Sequence, residues 1–264
     1  MTSDSLLQCT GDEETMSSRR YLYITAATLG LSLLFFPGRC RGTERQIDPS
    51  GSELVASVLK AYGGEGAVRK VMSVTAKGRI TEFLNGKEGN YARYFERPGK
   101  LRIEVMPEQG GEIRILNKNH GWHVGSGGLV PVSPLVLQSM IYQYSYLDLP
   151  MGLADGSLQV KYGGKQSHNG RDEYLLLIEL KNAPQLRLRI DAKTHLIVKV
   201  SSNFAMGMMG AGELSTEYGD FHAIDGVLFP FRLINFAGDM KLSEIVLSEI
   251  TINRKIPAEF FAPK

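Results

Sequence analysis

Two hydrophobic periods alternate along the chain, and the points where one gives way to the other mark its elements. Between Asp48 and Gly64, the residues Leu54, Val55, Val58, Leu59 and Tyr62 recur at helical spacing. Ser50 stands three residues before Glu53, a capping-box spacing, and Gly63-Gly64 closes the segment. The pattern predicts a half-buried helix whose apolar face rests on another element.

From Ser73 the period drops to two. Leu101, Ile103 and Val105 alternate with Arg102 and Glu104, and Ile113 and Ile115 repeat the pattern. Asn85-Gly86, Pro98-Gly99, Gly110-Gly111 and Asn119-His120-Gly121 separate the runs as turns. Such alternation predicts an antiparallel meander with one dry and one wet face.

The segment "VSPLVLQSMIYQYSYLDLPMGL" breaks this rhythm. Leu135, Leu137, Met140, Ile141 and Tyr144 suit one helix or two short ones after Pro134, and Asp148 is the only ionised residue between Leu129 and Leu153. Strands then resume, with turns at Asn169-Gly170, Asn182-Ala183-Pro184 and Asp191-Ala192-Lys193. Leu186, Leu188 and Ile190 alternate with Arg187 and Arg189, and a pair of aromatic-rich strands flanks Asp225-Gly226. About ten or eleven strands, a leading helix and a mid-chain helical insertion follow from this pattern. A sheet that wide must curl or close. The expected class is mainly β (α+β): a curved antiparallel sheet forming an unclosed β-barrel, with the mid-chain segment as a helical lid. Two helical segments are too few to fill the dry side, so the pattern predicts an apolar hollow. No Pro/Ser-rich linker divides residues 43–264, which read as a single domain.

Composition narrows the function classes. Apolar residues make up 43%, charged residues 22%, and the net charge of +2 provides no basic field for nucleic acid. The two cysteines, Cys9 and Cys40, precede the folded part, which argues against a structural disulfide or a cysteine-based metal site. Residues 1–42 read as an N-terminal extension and signal peptide. Arg19 and Arg20 precede an apolar run from Tyr21 to Phe36, shorter than the roughly 20 residues of a membrane span. A membrane anchor that stays attached is the competing reading. Acidic Asp4, Asp12, Glu13 and Glu14 do not suit a leader, and a start at Met16 would remove them. Arg39 occupies a position before Cys40 where lipid attachment needs a small residue.

Catalytic chemistry finds little support. His120 and His123 lack the spacing of a helical zinc site, and His168, His195 and His222 sit beside turns. Ser126 lies between glycines without a strand-elbow-helix context. The expectation is a non-enzyme without metal or cofactor. The Met/Gly run at residues 205–212 is either a contact surface or a flexible loop.

In order, "AYGG", "YFERPGKLRIEV", "ILNKNHGWHV", the helical insertion, "GRDEYLLLIEL", "LRLRIDAKTHLIVKV", "YGDFHAIDGVLFPFRL" and "INRKIPAEFFAPK" resemble the LolA/LolB-like outer-membrane lipoprotein-sorting family of bacterial envelopes. The resemblance covers about residues 50 to 263. It implies an unclosed barrel with a helical lid over an apolar cavity that carries acyl chains across the periplasm. Implied partners are an acyl lipid or lipoprotein, with membrane-associated donor and acceptor proteins, and no nucleic acid. Arg97, in the Arg-Pro turn, is implied to hold the lid by hydrogen bonds to its backbone. The dry face offers Leu101, Ile103, Val105, Ile113 and Ile115, then Leu186, Leu188 and Ile190, then Phe229, Phe231 and Leu233, with Trp122 near the rim. For any single one of these, plain core packing outweighs ligand contact. The chain is longer than the short carriers, and Asn119-His120-Gly121 replaces the family's Asp-Gly turn. Fold and lipid binding therefore transfer better than the shuttle role, and an envelope sensor or interaction module built on the same half-barrel is the other reading.

Overall fold

The structure, a computed structural model, describes residues 50–107, 111–125, 127–205 and 211–262. The expected leader lies outside them, as do Ser126 and residues 206–210 of the Met/Gly run.

Two short helices open the described part, α1 (Gly51–Ala61) and α2 (Glu65–Arg69). The capping box at Ser50 and Glu53 is formed, with Ser50 N–H donating to the Glu53 carboxylate at 2.9 Å. At the far end Gly64 N–H donates to Leu59 O and Gly63 N–H to Lys60 O, the paired bonds of a Schellman turn. Gly63 takes φ 111°, which residues with a side chain rarely adopt. A Cβ there would stand 2.0 Å from Gly226 O in the aromatic hairpin, so this close approach docks α1 on the sheet.

Six strands follow: β1 (Ser73–Glu82), β2 (Lys87–Glu96), β3 (Lys100–Pro107), β4 (Glu112–Asn117), β5 (His120–Gly125) and β6 (Gly128–Pro131). After α3 (Pro134–Ala154) come β7 (Gln159–His168), β8 (Arg171–Glu179), β9 (Leu186–Asp191) and β10 (Ile197–Ala205). The chain closes with β11 (Ala211–Ile224), β12 (Val227–Ala237), β13 (Met240–Ile252) and a 3-10 turn at Ala258–Phe261. The described residues hold thirteen strands, more than the ten or eleven expected. β6, with only four residues, is too short to show a clear period.

All thirteen strands form one sheet in the order β6-β5-β4-β3-β2-β1-β13-β12-β11-β10-β9-β8-β7. The chain lays strands outward from β1 to one edge, crosses on α3 to the other edge, and returns until β13 pairs antiparallel with β1. β6 and β7 each have one neighbour, so the barrel is unclosed.

α3 starts at the Ser133 cap with Pro134 in its first turn, and runs as one helix of 21 residues. It has no polar face, the pattern of a helix buried on all sides. Met140, Tyr142, Tyr146, Leu149, Met151 and Leu153 are buried in the same core as Ile103, Leu188 and Leu233. Only its first turn, with Leu135 and Val136, is exposed among its large apolar groups. At 1.5 Å per residue α3 is about 31 Å long. A helix of that length, apolar all round, fills most of the concave side that the sequence pattern leaves open.

Gly63→Ala is expected to cost at least 2 kcal/mol, combining φ strain with a backbone clash, whereas Gly64→Ala (φ 96°, open space around the Cβ) loses only about 1 kcal/mol of strain. Equal losses in chemical denaturation would show that the approach to Gly226 is not what docks α1.

Candidate functional site: the concavity beside α3

Cross-strand pairing sets which side chains line the inside. Ala76 pairs with Arg93, Arg93 with Ile103, Ile103 with Arg114, and Arg114 with His123. Paired residues share a face, so this row crosses the concave side from β1 to β5. Adjacent rows carry Val74, Phe95, Leu101 and Leu116, and then Tyr91 and Val105.

Among the described residues, two hollows lie beside α3. The inner one, about 50 Å³, lies under its C-terminal half between Phe95, Leu149, Met151, Ile197, Leu228 and Phe229. The other, about 250 Å³, is a mouth with a polar rim of Arg114, Ser139, Gln143, Thr216, Asn235 and Ser243. Tyr146 borders both. Tyr62 and Val74 place the inner hollow near the Gly226 turn, whereas Ile80 and Leu242 place the mouth toward the opposite strand ends.

Tyrosines stitch α3 to the sheet. Tyr142 Oη lies 3.4 Å from the carbonyls of Val200 and Leu214. Pro150 has no N–H to give to Tyr146 O, and the Tyr218 hydroxyl donates to that carbonyl instead, at 3.4 Å. Burial pushes the Tyr146 phenol up to about 12, against the pull of Gln143, Arg93 and Arg114.

Two arginines fasten the C-terminal end of α3. Arg97 Nε meets Asp148 Oδ1 at 2.5 Å and Arg97 Nη2 meets Asp155 Oδ2 at 2.6 Å. Arg69 donates through Nε and Nη2 to Ala154 O, satisfying a carbonyl that the helix end leaves without a partner. The expected backbone hydrogen bonds thus come from Arg69, while Arg97 takes carboxylates. Arg69 was hidden in the sequence because Glu65 at i−4 makes it read as a surface pair. Asp148 was visible as a lone charge in an apolar segment, but without its partner. Burial raises its carboxyl to about 7; Arg97 opposes this and Asp155 adds to it.

The expected dry-face residues divide into groups. Leu101, Ile103, Val105, Leu186, Leu188 and Ile190 are buried in the core with α3. Phe229 and Leu233 border the inner hollow, but Phe231 packs edge-to-face on His222 at 4.7 Å and does not line it. Ile113 and Ile115 are a correction. They pair with Glu104 and Arg102, on the face opposite Ile103. Trp122 pairs with Ile115 and so shares that face, where His120 stacks on it. Alternation alone equates the apolar side with the inside. Here the outer face has its own cover, because the Ala258–Phe261 turn lies on β3 and β4 and borders a hollow with Ile113, Ile115 and Val124. The inner positions of β4 belong instead to Glu112, Arg114 and Leu116.

The histidines have local neighbours: His123 Nε2 lies 3.2 Å from Glu112 and His222 Nε2 2.8 Å from Asp220. Among the described residues no three His, Cys, Asp or Glu side chains gather as a metal site.

No protein-family model matches the chain, and no curated protein matches it. Solved structures do. A domain from Vibrio parahaemolyticus, described as outer membrane lipoprotein-sorting, is 12% identical with a TM-score of 0.52, covering 80% of this chain and 95% of that one. A DUF1329 family protein from Desulfovibrio piger is 9% identical with a TM-score of 0.54, covering 81% and 98%. A LolA superfamily protein from Nitrosomonas europaea is 14% identical with a TM-score of 0.49, covering 81% and 98%. At these identities the likeness is one of fold, and it rests on the first two: the chain shares its fold with that Vibrio parahaemolyticus domain and with the DUF1329 family protein.

The Asp148 carboxyl ties the hold on α3 to pH. Its unfolded value is 3.8 and its folded value about 7, so the folded state binds the proton more tightly. Its stabilisation is complete below pH 3.8 and is lost as pH rises through about 7. Asp155 shifts the other way: burial opposes its charge, but Ser157 and Arg97 hold it below the usual range, so its contribution is lost only in stronger acid. From pH 5 to 8 the wild type is expected to lose stability relative to Asp148→Asn, by an amount on the order of 1 kcal/mol or more. Parallel melting-temperature curves for the two proteins would contradict this.

Proposed function

We propose that this chain binds the acyl part of a lipid or lipid-modified protein on the concave side of its sheet, with α3 as the cover, and catalyses no reaction. The reading places it in the cell envelope, where such cargo must be shielded from water. One observation carries it: an apolar hollow and a polar-rimmed mouth meet at Tyr146, under a helix fastened at its C-terminal end by polar contacts. The shared half-barrel with a domain described as outer membrane lipoprotein-sorting supports the same reading.

The hollow sets the mechanism. At about 50 Å³ the hollow is a third of the roughly 150 Å³ that admits a benzene molecule, so a fatty chain does not fit while α3 is in place. Entry requires α3 to shift toward its exposed first turn. Its apolar sides then act as the stand-in for cargo, and a tail replaces helix-sheet contacts with tail-sheet contacts. Each buried methylene contributes about 0.8 kcal/mol, so a 16-carbon chain offers at most roughly 12 kcal/mol before ordering costs. At about 1.5–3 kcal/mol per buried side chain that offsets the exposure of roughly four to eight of them, so α3 shifts in part rather than leaving the sheet, and no covalent step is needed. Arg97 and Arg69 set how far the cover can move, because both hold the same end of α3.

Native mass spectrometry of the full chain, purified from cell envelopes, is expected to show a one-to-one acyl-lipid adduct. Leu228 borders the hollow while its backbone N–H is held by Tyr62 O. Leu228→Trp therefore adds bulk to the hollow and is expected to weaken binding of a 16-carbon probe by about tenfold, with the fold retained. A wild-type protein that stays empty at saturating probe, or a variant that binds as well as wild type, would sink the reading.

A further inference from the structure

One charged group inside the concavity has no role in fastening α3. Arg93 lies on the inner face of β2, between Ala76 and Ile103 of the neighbouring strands, and is only 6% exposed. Its Nε is buried and makes no hydrogen bond, and among the described residues no carboxylate pairs with it. A guanidinium presents five donors in a planar fork, and a buried one without an anion loses its hydration with nothing in return. An acceptor supplied from outside the chain would return what that buried nitrogen has lost.

The surroundings give the shape of that acceptor. On the inner face of β2, Phe95 beyond Arg93 borders the apolar hollow and Tyr91 before it borders the polar mouth. Arg93 therefore stands where apolar lining gives way to polar lining. Arg114 flanks the same row across Ile103, two strands away and so about 10 Å at the backbone. Its Nε is also buried without a partner, while its Nη2 is 3.0 Å from Glu112. Ser215 Oγ, buried and without a partner, completes the mouth. Glu112 offsets Arg114, so among the described residues the row from Ala76 to His123 keeps one uncompensated positive charge, that of Arg93.

We propose that Arg93 is the headgroup anchor of the site and that the ligand is a free fatty acid, its carboxylate on the Arg93 fork and its tail in the apolar hollow. The inference rests on the acyl-binding reading and narrows it. The ester- and amide-linked chains of a lipid-modified cysteine are neutral at the acyl group and leave Arg93 unpaired. A single carboxylate matches both the one unbalanced charge and the bidentate geometry of guanidinium. Arg114 stands at the mouth as a second donor that draws the anion inward.

Calorimetric titration of the delipidated full chain at pH 8 with palmitate, methyl palmitate and hexadecyl phosphate tests this. Palmitate is expected to bind at least about tenfold more tightly than its methyl ester. Arg93→Met is expected to abolish that preference by weakening palmitate alone, and Arg93→Lys to keep part of it. Arg93→Met should also melt no lower than wild type, because it removes an unpaired buried charge. Equal binding of acid and ester to the wild type overturns the headgroup assignment and leaves acyl binding standing. Preference for hexadecyl phosphate overturns the carboxylate. Failure of all three probes to bind overturns both this inference and the acyl reading beneath it. The wild-type comparison decides the matter even if a variant fails to fold.

Discussion

A sheet of thirteen strands leaves a wide apolar face, and the chain covers it with the one segment that must cross between the two sheet edges. β6 and β7 lie at opposite ends of the strand order, so their connection has to span the concave side. A loop there would bury unpaired backbone groups; a helix satisfies them internally. The helix that results is apolar on every side because it faces sheet in nearly every direction. Packing of the inner face, placement of the hollows and any access to them all follow from where α3 lies.

The polar groups that break this apolar interior are few, and they differ in kind. Arg97 with Asp148 and Asp155, and Arg69 with Ala154 O, are matched contacts that tie down one helix end. A buried ion pair contributes little net stability, yet breaking it leaves a stranded charge, so such a pair fixes position more than it adds energy. Arg93 is the unmatched case: its Nε is buried, and among the described residues no carboxylate pairs with it. A matched arginine suits a fastener; an unmatched one facing a hollow suits a receptor for an anion. The same residue type therefore serves the two halves of a binding device, one holding the cover and the other facing the contents.

Legibility differed from element to element for physical reasons. The α1 boundaries were readable because the capping box and the Gly63-Gly64 turn are local hydrogen-bond arrangements. The strands of the β7–β13 half showed clear alternation, and Leu186, Leu188 and Ile190 lie in the core as that period requires. On β4 the same logic misplaced Ile113 and Ile115. Period two says that alternate residues share a face, but not which face is inside, and the turn at Ala258–Phe261 that covers the outer face comes some 140 residues later. Of the site, Arg97 was accessible only through the motif order, Asp148 only as an oddity, and Arg69 and Arg93 not at all.

The amino-acid pattern by itself determined the class of the fold, the presence of a helix between two strand runs, and the hairpin turns, because each depends on interactions within a few residues. Tertiary structure alone decided which face became the interior, how far α3 fills it, and which arginine meets a carboxylate. Those outcomes depend on pairings such as Arg97 with Asp148, where a turn meets α3, and Ile103 with Arg114, where strand register joins differently patterned residues. Local periodicity carries no record of register, so the charge left without a partner at Arg93 emerges only once the sheet has curled around its helix.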